Sequence, residues 1–143
     1  MAITGSGVVQ YRIFDHNCTK SDFIAFLYDL PVQPGQRLLM DNLRLHHCKE
    51  AREAMASKHI IPLYIPPYSP RYNAIENVFG VLKSSYRRTC PAFPDASTDY
   101  AAIMQGVIER FRHTDMSLYL RHAVAFSEQV LRHSDDTTLV GHG

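Results

Sequence analysis

The first third of the chain alternates short apolar runs with one amphipathic segment. Residues 8–14 mix β-branched and aromatic side chains with polar ones, and the Gly5-Ser6-Gly7 turn before them makes residues 1–4 the end of a preceding strand. Thr19 and Asp22 form a helix-start signature, and apolar side chains follow at helical spacing over the next turns. We therefore predict a β-hairpin and then a short amphipathic helix.

Two further apolar runs have the length of strands. Residues 37–40 form a largely apolar run that ends at Asp41, which is typical of a strand buried on both faces of a parallel sheet. Residues 60–65 contain Pro62, and because proline has no N–H to donate, this strand is expected at a sheet edge. A helix is predicted between the two strands, from about Cys48 to Ser57.

Helical periodicity dominates the remainder of the chain. A helix is predicted from about residue 74, after a proline-rich loop, and further helices over about 100–111 and 116–132. The core-facing positions of the first of these helices are Ile75, Val78, Phe79 and Leu82. The order of strands and helices is that of an α/β fold in which helices pack on a mixed sheet and a helical tail follows.

Composition restricts the possible functions. The 143 residues are 45% hydrophobic and 20% charged, which fits one globular domain over residues 1–133 with a flexible tail at 134–143. The net charge of +1 provides no global attraction to nucleic acid, so any DNA contact needs a local patch. There is no cationic leader, no run of about 18 apolar residues and no glycine-rich phosphate loop. We therefore expect neither secretion nor membrane insertion, and nucleotide-binding enzymes are disfavoured.

His46, His47 and Cys48 are adjacent in the sequence and could in principle bind zinc. A zinc site needs a second pair of Cys or His residues at ligand spacing, and the sequence has none. The three cysteines are odd in number and widely spaced, which fits reduced thiols in a nuclear or cytoplasmic protein. Unpaired surface or core side chains are the favoured interpretation of this cluster.

Two acidic residues stand out by their position. Asp41 follows a predicted strand, at the end where open α/β sheets place ligand-binding groups, and Glu76 begins a helix after a rigid proline loop. Two converging carboxylates would be hard oxygen ligands suited to Mg²⁺ or Mn²⁺. Each residue also has a structural interpretation: Asp41 as a turn residue, and Asn73 with Glu76 as a helix capping box.

The sequence blocks around these carboxylates resemble the second and third catalytic blocks of mariner-type DDE transposases and their bacterial insertion-sequence relatives. The first block is residues 40–47, MDNLRLHH, and the second is residues 66–83, PPYSPRYNAIENVFGVLK. Thirty-four residues separate Asp41 from Glu76, which is the spacing of one branch of that family. The resemblance covers most of residues 1–88. It implies an RNase H-like fold and metal-dependent cleavage and joining of DNA.

The resemblance also implies roles for the matching positions. Asp41 and Glu76 would be catalytic residues and ligands of Mg²⁺ or Mn²⁺, while Asn42, His46 and Asn73 would line the site. From the residues themselves, the basic side chains that could reach DNA phosphates are Arg71, Lys83, Arg87 and Arg88. The alternative for the last three is an ordinary solvated helix face.

Part of the family pattern has no counterpart in this sequence. The family's first catalytic aspartate lies on the central strand of the sheet, so we expect an incomplete RNase H-like sheet with a gap between the hairpin and the strand before Asp41. The family's helix-turn-helix region has no counterpart either. We therefore expect no sequence-specific DNA binding and no useful cleavage by this chain alone, and dependence on a second copy or a full-length transposase.

Three functions stay open on the sequence. The first is a partial transposase catalytic domain, and the second is a non-enzymatic nucleic-acid-binding or interaction module derived from one. The third is an unrelated RNase H-like nuclease that cleaves RNA in hybrids. The expected location is the nucleus in a eukaryote and the cytoplasm otherwise.

Overall fold

Strands and helices alternate along residues 1–66 and 73–121, the part of the chain that the computed structural model describes. The strands are β1 (Ala2–Thr4), β2 (Gly7–Gln10), β3 (Arg37–Met40) and β4 (Ile61–Tyr64). The helices are α1 (Lys20–Asp29), α2 (Lys49–Ser57), α3 (Ala74–Thr89) and α4 (Tyr100–Arg110), with a 3₁₀ turn at Arg44–His47. The predicted order of elements is confirmed. None of the described helices is long and apolar enough to cross a membrane.

Several predicted features fall outside this range. Arg71 belongs to residues 67–72, which are not described. The helix predicted over 116–132 is seen only in its first part, where residues 117–121 are helical. The tail predicted at 134–143 also lies outside the described residues.

The described strands form two separate sheets of two strands each. β1 pairs antiparallel with β2, and β3 pairs parallel with β4. The mixed α/β class is thereby confirmed. The break between the two sheets falls between the hairpin and the strand before Asp41, where a gap was expected.

Each sheet packs with its own helices. One buried cluster joins β2, α3 and α4, and its members are Val8, Val78, Leu82, Val107, Ile108 and Met116. The other joins α1, β3 and α2, and its members are Leu27, Met40, Ala51, Ala54, Met55 and Ile60. Since an isolated pair of strands is marginally stable at best in water, each sheet depends on the apolar surface that its helices remove from solvent.

The strand β3 differs from the prediction. Only Met40 is buried, Leu38 and Leu39 are half-buried, and Arg37 is exposed, so the expected burial on both faces is wrong. The reason is that a two-stranded sheet lacks the neighbouring strands and the second helix layer that bury a central parallel strand.

The edge position of β4 is confirmed. The N–H groups of Ile61 and Ile65 donate to the carbonyls of Gln36 and Met40, so alternate residues of β4 face β3. Pro62 lies between them, and its nitrogen therefore faces away from the ladder, where no donor is required.

The start of α1 is the predicted capping box. The Thr19 hydroxyl oxygen accepts the Asp22 N–H at 3.2 Å, and the Asp22 carboxylate accepts the Thr19 N–H at 2.9 Å. Two N–H groups that a helix start would leave unpaired are satisfied, which explains why the helix begins at Lys20.

The turn after α4 docks on the N-terminal hairpin through backbone contacts. The Arg112 carbonyl accepts the Val8 N–H at 3.2 Å, and the Met116 N–H donates to the Gly5 carbonyl at 2.8 Å. Gly7 has a φ of 130°, and a Cβ atom on it would lie 1.9 Å from the Arg112 carbonyl oxygen. Only glycine permits this approach.

We predict that Gly7→Ala lowers the free energy of unfolding by roughly 2–4 kcal/mol, because it adds both a backbone clash and a disfavoured φ. Gly80→Ala is the matched control: a Cβ on Gly80, in the middle of α3, meets no atom within 4 Å. The control should raise stability by about 0.5–1 kcal/mol. Urea unfolding followed by circular dichroism measures both changes, and equal effects of the two substitutions would contradict the close approach at Gly7.

Side chains reinforce the same docking. The Tyr11 hydroxyl donates to Glu109 at 2.6 Å, and the Arg112 guanidinium donates to both carboxylate oxygens of Glu109 at 2.6 and 2.7 Å. The Arg112 guanidinium and the Tyr11 hydroxyl lower the pKa of Glu109 from 4.5 to about 2.

This pKa shift predicts an acid-sensitive contribution to stability. Because folding lowers the pKa of Glu109, the contact stabilises the fold above pH 4.5, and the stabilisation is lost as the pH falls toward 2. Glu109→Gln should therefore be less stable than the parent at pH 7, and the difference should shrink between pH 4.5 and pH 2. Urea titrations at several pH values test this, and a difference independent of pH would contradict it.

Candidate active site

Asp41 lies at the carboxyl end of the parallel pair of strands. It follows Met40, whose carbonyl accepts the Ile65 N–H at 2.8 Å and so fixes the end of β3 against the chain beyond β4. The Asp41 side chain is 40% exposed. The carboxylate therefore lies at the sheet edge that the sequence indicated, and solvent or a ligand can reach it.

The 3₁₀ turn after β3 folds back onto this carboxylate. The His46 Nδ1 atom lies 2.8 Å from Asp41 Oδ1, and the imidazole is only 14% exposed. The ring packs against Phe23 of α1, with 4.7 Å between the ring centroids. A side chain from the preceding helix thus holds the histidine that contacts Asp41.

Asn42 and His47 form a second side-chain contact next to Asp41 and His46. The Asn42 amide oxygen is hydrogen-bonded to His47 Nε2, and the His47 ring lies against Tyr64 with centroids 4.1 Å apart. The Tyr64 hydroxyl donates to the His46 carbonyl at 3.2 Å. The structure therefore places the His46 ring beside Asp41 and the Asn42 side chain against His47, and the roles predicted for Asn42 and His46 stay predictions.

Sequence reasoning missed two members of this cluster, Tyr64 and Phe23. Tyr64 could have been found from the sequence, because it is the last residue of β4. The carboxyl ends of neighbouring parallel strands lie at the same edge of a sheet. No comparable signal identified Phe23, since its contact with His46 spans more than twenty residues.

Glu76 lies in the first turn of α3 and is exposed. Asn73 is the residue that precedes the helix, but its side chain makes no capping hydrogen bond. The capping-box interpretation of Asn73 and Glu76 is therefore wrong. Among the described residues, the Glu76 N–H donates to the Asn73 carbonyl at 3.0 Å, and no side-chain cap bond from Asn73 is present.

Met40, which precedes Asp41, and Val78, on the helix that carries Glu76, belong to different packing clusters, and the chain between the two acids includes residues 67–72. Within residues 1–66 and 73–121, no three His, Cys, Asp or Glu side chains lie close enough together to hold a metal ion. The convergence of Asp41 with Glu76 stays a prediction.

The donor chemistry of Asp41 itself fits a divalent cation. Its Oδ1 atom accepts from the Leu43 N–H at 3.4 Å and lies 2.8 Å from His46 Nδ1, whose hydrogen bond is with the Asp41 carbonyl at 3.0 Å. No hydrogen-bond partner for Oδ2 is found among the described residues. A half-exposed carboxylate oxygen is the kind of ligand that Mg²⁺ and Mn²⁺ prefer.

Basic side chains occupy the α3 face that carries Glu76. At 100° per residue, Lys83 and Arg87 fall within about 20° of Glu76, while Arg88 lies about a third of a turn away. All three are exposed. Val78 and Leu82 are buried on the opposite side of the helix. The arrangement leaves one charged helix face open to a polyanion.

The α/β fold and the position of Asp41 at a strand end are typical of domains that bind ligands or catalyse reactions at the carboxyl ends of their strands. Comparison with known families identifies the family: the pattern of the DDE superfamily endonucleases matches residues 1–98, and the chain belongs to that family. The matched segment includes β1 to α3 and both acidic blocks. Proteins of this family generally use divalent metal ions and act on DNA. A comparison with curated proteins finds no match.

The missing cap bond of α3 predicts a contrast between two helix starts. Thr19→Ala removes a complete capping box and should destabilise the protein by about 1 kcal/mol. Asn73→Ala removes no such bond and should cost less than about 0.5 kcal/mol. Urea unfolding of both variants measures the difference, and a cost at Asn73 as large as that at Thr19 would restore the capping interpretation.

Proposed function

We propose that this chain is part of the catalytic domain of a mariner-type DDE transposase with an RNase H-like fold. The observation that carries the proposal is the position of Asp41 at the carboxyl end of β3, where its side chain is 40% exposed and lies 2.8 Å from His46 Nδ1. The family match over residues 1–98 supports it, since that segment contains both acidic blocks.

In this proposal Asp41 and Glu76 bind Mg²⁺ or Mn²⁺. Ions held by these carboxylates would supply activation of the attacking water or 3′-hydroxyl and charge stabilisation of the leaving oxygen of the phosphodiester. Asn42 and His46 line the site beside Asp41, with His46 Nδ1 hydrogen-bonded to the Asp41 carbonyl, and Asn73 lies at the start of the helix that carries Glu76.

The basic face of α3 supplies the DNA contacts. Lys83 and Arg87 bind backbone phosphates on the same side of the helix as Glu76, and Arg88 and Arg71 extend the contact. Phosphate contacts position DNA without reading its sequence, so this face alone provides no sequence specificity.

The family chemistry uses a third carboxylate in addition to the two in these blocks. We propose that residues 1–143 alone cleave DNA slowly at best, and that a second copy or a full-length transposase completes the site. Metal geometry depends on the number of ligands, so two carboxylates should bind a cation weakly and orient it poorly.

A second candidate is a non-enzymatic nucleic-acid-binding or interaction module. The exposed Lys83 and Arg87 favour it, because phosphate binding by this face requires no metal ion. The two candidates differ in whether Asp41 and Glu76 matter for function.

A plasmid-nicking assay with Mn²⁺ tests the first candidate against the second. We expect at most slow nicking, and we expect Asp41→Ala and Glu76→Ala to abolish it because each removes a metal ligand. Glu53→Ala is the matched control: Glu53 is an exposed acid on α2 whose only ion pair among the described residues is with Lys49 at 3.7 Å. This control should nick DNA like the parent.

DNA binding measured in EDTA completes the comparison. Binding that neither acidic substitution weakens, without any nicking, would support the binding module and exclude the endonuclease. Nicking that survives in Asp41→Ala or Glu76→Ala would exclude these residues as ligands.

A further inference from the structure

The two outer edges of the β3–β4 sheet differ in their capacity to pair with another strand. Successive residues of a strand direct their N–H and carbonyl groups to opposite edges. The Ile61 and Ile65 N–H groups bond to the β3 side, so Pro62 and Tyr64 form the outer edge of β4. Because Pro62 has no N–H, a strand added there would lose a ladder bond. The outer edge of β4 is therefore protected against pairing.

The outer edge of β3 has no such protection. The Gln36 and Met40 carbonyls accept from the β4 side, so the N–H and carbonyl groups of Arg37 and Leu39 face the opposite edge. No backbone hydrogen bond to these groups is found within residues 1–66 and 73–121. A row of such groups is a template for pairing with a further strand.

The side chains of β3 are divided between its two faces. Leu38 and Met40 pack with the cluster of α1 and α2, which covers one face of the sheet. Arg37 is exposed and Leu39 is half-buried, and neither belongs to the two buried clusters of the described residues. Asp41 takes the next position of the alternation, and its side chain is 40% exposed. The other face thus carries a cation, a leucine and an anion, in that order.

We propose that the outer edge of β3 is a self-association surface, at which β3 pairs antiparallel with β3 of a second copy around a two-fold axis through Leu39. The product is a continuous sheet with the strand order β4–β3–β3–β4. The pairing does not rest on the proposed function, because the same groups face this edge whether or not Asp41 binds a cation.

Charge complementarity supports this choice of partner. When Leu39 lies opposite Leu39 of the second copy, the two residues exchange N–H···O bonds, as antiparallel neighbours do. Arg37 then lies opposite Asp41 of the second copy, and the two-fold symmetry repeats this pair at the other end. Opposite charges directly across two strands stabilise their pairing. The second copy brings a guanidinium to Asp41 and not a third carboxylate, so this surface is separate from the completion of the proposed catalytic site.

A different register would centre the two-fold axis on Leu38. It would place Arg37 opposite Leu39 of the second copy and Asp41 opposite Gly35. Neither charge would then have a partner across the strands. The register centred on Leu39 is favoured because it alone pairs the charges.

Charge reversal on the full chain tests the surface and the register together. Arg37→Asp sets like charges opposite each other in a pair of identical copies, and Asp41→Arg does the same. Each variant alone should therefore self-associate roughly tenfold more weakly than the parent. An equimolar mixture of the two variants has opposite charges at both ends, so it should form a heterodimer with an affinity within about threefold of the parent dimer.

Sedimentation equilibrium at increasing protein concentration measures these affinities, after circular dichroism has established that each variant is folded. The matched control is Arg52→Asp, which reverses an exposed arginine on α2 and should associate like the parent. A parent chain that stays monomeric at millimolar concentration overturns the inference and leaves this edge to a different partner. A dimer that Arg52→Asp weakens as much as Arg37→Asp also overturns it. If the mixture associates no better than the single variants, the register is wrong and the inference fails.

Amide hydrogen exchange of the parent chain needs no substitution, so it decides the question even if a variant does not fold. The Leu39 N–H should exchange roughly tenfold more slowly once the dimer predominates, because pairing removes it from water. The Tyr64 N–H, on the protected edge of β4, is the internal control and should exchange at the same rate at every concentration. A Leu39 rate that depends on concentration no more than the Tyr64 rate overturns the inference.

Discussion

The hydrogen bond from the Ile65 N–H to the Met40 carbonyl determines where β3 ends, and the candidate site depends on that end. At 2.8 Å it is the last backbone contact between the two parallel strands, and the next residue is Asp41. The chain then leaves the sheet and turns through Arg44–His47, which returns His46 to the aspartate. Because Tyr64 ends β4 at the same edge, its hydroxyl reaches the turn and fixes it. One register between two short strands therefore positions the carboxylate, the histidine and the tyrosine together.

The two packing clusters have different roles in this arrangement. The cluster of α1, α2 and β3 supports Asp41, whereas the cluster of β2, α3 and α4 supports the helix that carries Glu76. The docking at Gly7 and Arg112 belongs to the second cluster, and it joins α4, which lies beyond the matched family segment, to the N-terminal hairpin. Apolar burial on the Val78 and Leu82 side of α3 leaves the opposite side free for Glu76, Lys83 and Arg87. The same periodicity that builds the core thus creates the charged face.

Local signals predicted much of the fold. The capping box at Thr19 and Asp22, the edge position enforced by Pro62 and the apolar stripe of α3 are each determined by residues close in sequence, and the structure confirms them. The burial of β3 could not be predicted in this way, because it depends on how many strands flank it.

In the candidate site, too, features set by neighbouring residues could be predicted, and features set by long-range contacts could not. The position of Asp41 at a strand end follows from a short apolar run. The 3₁₀ turn at Arg44–His47 has no periodic pattern and is held by Phe23 and Tyr64, which are distant in sequence. Asn73 and Glu76 are the residue types of a capping box, but the Asn73 side chain does not form the capping hydrogen bond. The same pair of residue types can form either local or tertiary contacts. The convergence of Asp41 and Glu76 stays a prediction, and it would depend on tertiary contacts in the same way.

The helix α1 contributes to the site, although it is distant from Asp41 in the sequence. The capping bonds of Thr19 and Asp22 fix the first turn, and the Phe23 N–H donates to the Thr19 carbonyl at 3.1 Å within that turn. The Phe23 ring then packs on His46, whose Nδ1 is hydrogen-bonded to the Asp41 carbonyl and lies 2.8 Å from Oδ1. Each contact in this series restricts the next group, so fraying of the first turn of α1 would loosen the imidazole beside Asp41. A local helix start therefore contributes to the surroundings of a proposed metal ligand, through packing and hydrogen bonds rather than through any charge of its own.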